Sequence, residues 1–232
     1  MPQAIDPTRP VADQLYRMLR EEILTAQLLP GVAISEVRLA ERVGASRTPV
    51  REVFRRLADE GLLNVVPQVG TFVAPIDLDA VYDSQFIRET LECRTVALAT
   101  ERATEAQRRA LKDLLQRQQK AIRNEDRQVF FDLDDAFHTS LATLAGHASV
   151  WTLIQGVKTQ LDRVRRLSLE SEDWLRMIFG QHELILERVC AADPTGAEAA
   201  MRDHLQSVFG AIESITRSRP NVFKNPPARQ SA

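Results

Sequence analysis

A long stretch without proline is the feature that most constrains how this chain can fold. The sequence has 11 prolines in 232 residues, and none of them lies between Pro75 and Pro194. Because proline interrupts the interior of a helix, this gap permits a long, purely helical region. The helices there are predicted to break near residues 103, 124, 147, 171 and 193. We therefore predict an antiparallel all-α bundle over residues 77–217.

In the N-terminal part of the chain, short predicted helices are separated by turns that contain glycine or proline. Apolar residues at intervals of four predict an amphipathic helix over residues 10–27. Ser35 and Ser46 are suited to the N-caps of two shorter helices, which are predicted to end at Gly44 and Gly61. After Gly61, two short segments rich in apolar residues flank a Pro-Gln-Val-Gly turn. They predict a small β-hairpin.

These patterns together predict a mainly α fold class with three segments. Residues 1–76 are expected to form a winged helix-turn-helix domain, with the β-hairpin as its wing. The all-α bundle of residues 77–217 follows it. Residues 218–232 contain three prolines and are expected to be a flexible tail.

The net charge of the whole chain does not indicate a nucleic-acid binder. The chain carries 30 basic and 32 acidic residues, which gives a net charge of −2 and an isoelectric point of about 6.1. The placement of the arginines is more informative. Residues 38–56 contain six arginines, opposed only by Glu41 and Glu52. This local excess predicts a small, arginine-based contact surface for phosphates.

The second short helix carries arginines on the face opposite its apolar residues. Arg47, Arg51 and Arg55 recur at intervals of four, and Thr48 lies at the N-terminal end. A helix fits the major groove, where an arginine can donate two hydrogen bonds to guanine. We expect Arg47, Thr48 and Arg51 to contact bases, and Arg38, Arg42 and Arg55 to contact phosphates. The alternative is a solvated charged face whose arginines pair locally with Glu52, Asp59 and Glu60.

The wider sequence around this helix resembles the GntR family of bacterial transcription regulators. The resemblance rests on residues 35–52, SEVRLAERVGASRTPVRE, and on the hairpin that contains Gly70. It implies that the recognition helix begins at the SRTPVRE segment, and that the wing near Gly70 enters the minor groove. Many relatives have a basic residue just before the wing glycine, and this chain has Val69 there.

The proline-free region contains all four histidines of the chain. Asp134 and His138 are four residues apart and share one helix face. His182 and His204 lie on two predicted helices that an antiparallel turn could bring level. Imidazole and carboxylate ligands suit Zn, Ni, Mn or Fe. The alternative is that these histidines are ordinary core or surface residues.

A second resemblance concerns the same region. The segments DDAFH, QHELIL and AMRDHL, which contain His138, His182 and His204, resemble the FCD ligand-binding domain of the FadR branch of GntR regulators. The resemblance implies that Asp134, His138, His182 and His204 are metal ligands. Relatives often have glutamate immediately before the second histidine, where this chain has Gln181.

Two arginines are candidates for binding an effector. Arg88 lies where the family often has an arginine near the ligand, and a guanidinium can bind a carboxylate with two hydrogen bonds. The alternative is a salt bridge from Arg88 to Glu92 or Glu89. Arg163 is a weaker candidate, since it belongs to an arginine cluster that could face solvent.

The resulting hypothesis is a homodimeric transcriptional repressor and not an enzyme. We expect it to bind palindromic half-sites in double-stranded operator DNA and to respond to a small carboxylate metabolite, bound with a divalent metal ion. Cys93 and Cys190 cannot form a disulfide framework, and no apolar run is long enough for a membrane span, so we expect a cytoplasmic protein without membrane contacts. Two alternatives stay open: a metal-dependent enzyme that uses the Asp and His residues, and a regulator that senses its effector through Arg88 alone.

Overall fold

Three helices and a β-hairpin follow one another at the N-terminus, as the sequence predicts. The computed structural model describes residue 6 and residues 8–224, and we number its elements in chain order. The helices are α1 (Val11–Leu24), α2 (Glu36–Val43) and α3 (Arg47–Asp59). The hairpin strands are β2 (Leu63–Val66) and β3 (Gly70–Val73). A short strand that was not predicted, β1 (Ala33–Ile34), pairs antiparallel with β3 and completes a sheet of order β1-β3-β2.

The turn between α2 and α3 has the chemistry that a helix-turn-helix requires. The Ser35 side chain accepts a hydrogen bond from the Arg38 backbone N–H at the start of α2. Gly44 ends α2 with φ of 66°, a left-handed conformation that glycine adopts without the strain of a Cβ. Ser46 precedes α3 at the N-cap position, but its side chain makes no capping hydrogen bond to the described residues.

The core of this N-terminal unit lies between α1, α3 and the sheet. Each helix buries one apolar face, which leaves the opposite face of α3 exposed. The fully or almost fully buried side chains are Leu15, Leu19, Ile23, Val50, Val53, Phe54, Leu57, Leu62 and Val73.

The C-terminal segment differs from the predicted flexible tail. Residues 220–222 form a 3₁₀ helix, and β5 (Phe223–Lys224) pairs in parallel with β4 (Ile76–Asp77). Val222 and Phe223 are buried, and removing these apolar side chains from water stabilises an ordered conformation. The prediction of a flexible tail is therefore wrong for residues 220–224. Its remainder, residues 225–232, lies outside the described residues.

A second compact unit comprises residues 79–214, and it is entirely helical in the described structure. The five predicted breaks all fall between helices. A sixth break, at Lys158, was not predicted. Lys158 is buried there, and its ammonium contacts Asp135 and Asp162. The helices are α4 (Leu78–Arg102), α5 (Glu105–Arg123), α6 (Arg127–Leu144), α7 (Ala148–Val157), α8 (Thr159–Ser168), α9 (Glu172–Cys190) and α10 (Pro194–Ser218).

The helices of this bundle pack around one apolar core. Its most buried large side chains come from α5, α6, α9 and α10, and the polar groups of the candidate site lie among them. No helix among the described residues combines the length and the apolar composition that crossing a membrane requires. The principal core residues are Leu111, Phe130, Phe137, Leu141, Ile185, Val189, Met201 and Leu205.

Candidate DNA-binding and ligand-binding sites

The exposed face of α3 presents the arginines that the sequence singled out. The side chains of Arg47, Arg51 and Arg55 are 58%, 65% and 72% exposed. Thr48 is also exposed, next to Arg47 at the N-terminal end of α3. Because the apolar face of α3 is buried in the core, its arginine face is rigidly directed outward.

These arginines are paired with acidic side chains, but only Arg55 pairs with an acid that the alternative interpretation named. Arg51 Nε lies 3.2 Å from Glu36 Oε2, and Arg47 NH2 lies 4.0 Å from the same oxygen. Arg55 NH1 lies 3.4 Å from Asp59 Oδ2. Exposed ion pairs of this kind contribute about 0–1 kcal/mol. A polyanion can therefore compete for these arginines at little cost.

The other predicted DNA-contacting residues lie on α2 and the wing. Arg38 is exposed on α2, and Gly70 is exposed at the start of β3. Val69, in the position that is often basic in relatives, is 71% exposed. An exposed valine has no hydrogen-bonding group in its side chain, so contacts at this point of the wing would come from backbone groups or neighbouring residues.

Three of the four predicted metal ligands form one buried cluster. Suitable ring nitrogens of His138, His182 and His204 all lie within 4.8 Å of one another. His204 Nε2 is 3.3 Å from His138 Nε2. The three rings come from α6, α9 and α10, so the packing of the bundle brings together residues that are up to 66 positions apart.

Asp134, the fourth predicted ligand, borders this cluster. Its Oδ1 lies 3.6 Å from His182 Nε2, and its Oδ2 lies 3.7 Å from His138 Nε2. The same carboxylate accepts a hydrogen bond from Arg165 NH2. Asp134 thus faces two imidazoles on one side and a guanidinium on the other.

Each imidazole also contacts an oxygen through Nδ1. His182 Nδ1 lies 2.9 Å from Gln118 Oε1, and His204 Nδ1 lies 3.0 Å from Gln181 Oε1. His138 Nδ1 contacts Glu92 Oε2. Since amide and carboxylate oxygens only accept hydrogen bonds in these pairs, the contacts favour a proton on each Nδ1.

The protonation states of the cluster follow from its burial. Burial lowers the pKa of His182 to about 3, with the nearby Asp134 charge offsetting only part of this effect. Burial likewise holds the pKa of His204 well below its usual value. Burial alone would raise the pKa of Asp134, but the charges of Arg165 and the histidines lower it to about 2. His182 and His204 are therefore neutral imidazoles at neutral pH and Asp134 is an ionised carboxylate, the forms that bind metals.

Arg88 makes the predicted salt bridge and also reaches the cluster. Its Nε lies 2.6 Å from Glu92 Oε1, and its NH2 lies 3.5 Å from His138 Nε2. Glu89, the other partner considered, pairs instead with Arg202. The two interpretations of Arg88 are thus compatible, because one guanidinium edge binds Glu92 while another nitrogen faces the histidines.

The arginine cluster of α8 does not face solvent. Arg163 is buried and donates from NH1 to Gln160 Oε1 at 3.0 Å. Arg165, two residues further on, contacts Asp134 and lines the cavity beside the histidines. Two positions correspond to about 200° around a helix, so these side chains point in opposite directions. The structure therefore places Arg165, and not Arg163, beside the histidine cluster.

A small cavity of about 40 Å³ adjoins the histidines. Its polar lining includes Arg88, Asp134, Arg165 and His204, and apolar side chains form the rest. Such a volume holds about three water molecules. A ligand of a few heavy atoms fits it beside two guanidinium groups, each of which already pairs with an acidic side chain: Arg88 with Glu92, and Arg165 with Asp134.

The cluster fits a divalent transition-metal ion. His182 Nε2 is buried and has no hydrogen-bond partner among the described residues. Two nitrogens at about 2.0–2.1 Å from one tetrahedral ion are about 3.4 Å apart, close to the 3.3 Å between His138 and His204. Asp134, His138, His182 and His204 are the residues that could hold such an ion.

The sequence reasoning did not single out Glu92 or Gln118 for the site. Glu92 was considered only as a salt-bridge partner of Arg88. Gln118 lies on the same face of α5 as Leu111, Leu114 and Leu115, and is fully buried. A lone polar residue in that apolar stripe was the signal that could have identified it.

Comparison with known proteins agrees with this architecture. Residues 11–73 match the bacterial regulatory proteins, gntR family, and residues 83–207 match the FCD domain. The chain is 35% identical over 219 residues to the HTH-type transcriptional repressor RspR of Escherichia coli (strain K12), covering 94% of this chain and 96% of RspR. It is 41% identical over 209 residues to an uncharacterized HTH-type transcriptional regulator in an unstable DNA locus of Streptomyces ambofaciens, covering 90% of this chain and 88% of the relative.

The fold is also shared with solved structures. E. coli McbR/YncC superposes with a TM-score of 0.68 at 23% identity, covering 89% of this chain and 98% of that chain. The matched family and the relatives named as transcriptional regulators place this chain among the DNA-binding transcription regulators. More specifically, this chain belongs to the GntR family of bacterial transcriptional regulators and carries an FCD domain.

Proposed function

We propose that this protein is a homodimeric repressor whose affinity for a palindromic operator is lowered by a small organic acid, bound together with a divalent metal ion in the FCD domain. The single observation that carries this proposal is the buried cluster of three histidines beside Asp134, in contact with a cavity lined by two guanidinium groups. Relatives of this chain include proteins named as repressors, which supports the direction of regulation.

The DNA-binding part of the proposal assigns roles to the exposed residues of the N-terminal unit. Arg47, Thr48 and Arg51 would contact base edges, because they lie at the exposed N-terminal half of α3. Arg38 and Arg55 would contact phosphates, and Gly70 would lie in the wing at the minor groove. Each subunit of the dimer would bind one half-site. The spacing between the DNA-binding domains of the two subunits would therefore control operator affinity.

The effector-binding part rests on charge complementarity. Asp134, His138, His182 and His204 would hold the metal, which when bound supplies positive charge and a vacant position for a carboxylate oxygen. Arg88 would donate to the same carboxylate from the edge of the cluster. An acid that binds one conformation of the dimer better than the other shifts the equilibrium toward it, and this shift would lower operator affinity.

A thermal-shift screen combined with a gel-shift assay tests this function. Acetate, pyruvate, malate and citrate would each be added to the full-length protein, stripped of metal or loaded with Zn²⁺. An acid present at about 100 times its Kd stabilises the folded state by about 2.7 kcal/mol, so at least one acid should raise the melting temperature of the Zn²⁺-loaded protein. The same acid should then weaken operator binding.

Other outcomes of this experiment would reject parts of the proposal. An equal shift without metal would mean that Arg88 senses the acid alone. Chemical conversion of the acid by the metal-loaded protein would identify an enzyme instead. A stabilising acid that leaves operator affinity unchanged would separate ligand binding from regulation.

A further inference from the structure

Three helices each place a side-chain oxygen against the Nδ1 atom of one of the three clustered imidazoles, through hydrogen bonds at His182 and His204 and an ion-pair contact at His138. Glu92 on α4 contacts His138, Gln118 on α5 contacts His182, and Gln181 on α9 contacts His204. In every case the imidazole uses Nδ1. The remaining nitrogen of each ring, Nε2, is therefore the atom left to face the shared centre of the cluster.

The Gln118 amide shows most clearly why the proton lies on Nδ1. Its Nε2 donates to the Leu133 backbone carbonyl at 3.0 Å, which fixes the orientation of the amide. Its Oε1 must then face His182 Nδ1, at 2.9 Å. A carbonyl oxygen can only accept, so His182 carries its proton on Nδ1 and its Nε2 has a free lone pair.

The other two acceptors act in the same sense. Glu92 Oε1 accepts a hydrogen bond from Arg88 Nε at 2.6 Å, and its Oε2 lies against His138 Nδ1. Gln181 directs Oε1 toward His204 Nδ1. With a proton on each Nδ1, the Nε2 lone pairs of His138 and His204 face each other at 3.3 Å, an arrangement that a cation stabilises.

We propose that these three acceptors are positioning residues, which hold the imidazole protons on Nδ1 and so reserve three Nε2 lone pairs for one metal ion. This inference rests on the proposed function for the presence of the metal, but it makes its own statement about the metal-free protein. Without Gln118, the tautomer of His182 with its proton on Nε2 would be favoured, because the acceptor Asp134 Oδ1 lies 3.6 Å from Nε2. That tautomer has no lone pair for a metal at Nε2.

The first test is nitrogen NMR of the full-length, metal-free protein with ¹⁵N-labelled histidine. We expect His138, His182 and His204 to be protonated on Nδ1. The Gln118→Met variant, which keeps the side-chain length but has no oxygen, should move His182 toward the Nε2-protonated form. Protonation of wild-type His182 on Nε2, or an unchanged tautomer in Gln118→Met, would overturn the inference whether or not the protein binds metal.

The second test is titration with Co²⁺, followed by its d–d absorption bands. Removing an outer partner of a metal-bound histidine typically lowers metal affinity about 10- to 100-fold, and we expect this of Gln118→Met. Gln118→Glu restores an acceptor oxygen and should recover most of the affinity. The matched control is Gln116→Met, an exposed position on the same helix, which should bind Co²⁺ like the wild type.

The two tests separate this inference from the proposed function. Failure of the wild type to bind Co²⁺ or Zn²⁺ would reject the metal site, while the tautomers could still be as stated. Equal affinity of Gln118→Met and wild type, in a wild type that does bind metal, would reject the role of Gln118. Equal losses in Gln118→Met and Gln118→Glu would show that Gln118 only supports the packing of α5.

Discussion

Glu36 Oε2 lies 3.2 Å from Arg51 Nε, so an acidic residue of α2 holds an arginine that is proposed to contact bases from α3. The same oxygen lies 4.0 Å from Arg47 NH2. If Arg47 and Arg51 contact DNA as proposed, DNA competes with Glu36 for both guanidinium groups. Glu36 would then lower the affinity of the recognition helix for an anion.

Replacing Glu36 with glutamine should therefore strengthen DNA binding. Exposed ion pairs contribute about 0.2–1 kcal/mol, which predicts up to about a five-fold gain in operator affinity, measured by gel shift at fixed salt. Glu41→Gln is a suitable control, because Glu41 is an exposed acid on the same helix, α2. Weaker binding by Glu36→Gln would indicate instead that Glu36 orients Arg51 productively.

Arg51→Ala and Arg55→Ala should weaken operator binding in different ways. A bidentate base contact contributes about 1–3 kcal/mol of discrimination, so Arg51→Ala should lose about 5- to 150-fold on the operator and much less on unrelated DNA. Arg55→Ala should weaken binding to all sequences and reduce the salt slope by about 1. Unchanged operator affinity of Arg51→Ala would remove α3 from its proposed role.

Val69→Arg should strengthen the contact between the wing and DNA. Val69 is 71% exposed, so an arginine there displaces no core packing and adds a cation close to Gly70. We expect tighter binding at low salt and a salt dependence steeper by about one unit. Measurement at several salt concentrations checks this, with Val65→Arg, an exposed position on β2, as a comparison. If Val69→Arg and Val65→Arg increase DNA affinity equally, the increase comes from the added positive charge and not from a wing contact at Val69.

His182→Ala and Arg88→Lys should separate metal binding from acid binding. His182→Ala removes one of three clustered imidazoles and should lower the Zn²⁺ content measured by elemental analysis. Arg88→Lys keeps the positive charge beside Glu92 but loses the planar guanidinium that can donate two parallel hydrogen bonds to a carboxylate. It should therefore retain Zn²⁺ but lose most of the acid-induced rise in melting temperature. An unchanged acid response in Arg88→Lys would exclude Arg88 from the effector site.

Phe223→Ala should destabilise the N-terminal unit although Phe223 is close to the end of the chain. Its side chain is 4% exposed, and its backbone pairs with Ile76. Truncation of a buried phenylalanine costs about 3–5 kcal/mol, measurable by urea denaturation followed by circular dichroism. Lys224→Ala removes only an exposed ion pair to Asp77 and should cost less than about 1 kcal/mol. Similar stability of both variants would contradict an ordered C-terminal strand.

Local chemistry made the element order predictable from the sequence. Ser35 and Gly44 signal the ends of α2 through hydrogen bonding and backbone conformation that involve only neighbouring residues. The five predicted breaks in the helical region likewise depend on local turn residues. The break at Lys158 escaped prediction, because its buried ammonium is stabilised by Asp135, which is 23 positions away.

The sequence by itself determined the fold class and identified the three histidines as candidate metal ligands, because helical periodicity and local motifs are properties of short segments. Only the tertiary structure decided that Arg165 contacts Asp134 while Arg163 points away, and that Gln118 meets His182 across 64 positions of chain. Such contacts depend on how whole helices rotate and pack against one another. That arrangement is set by the complete core, and no local pattern encodes it.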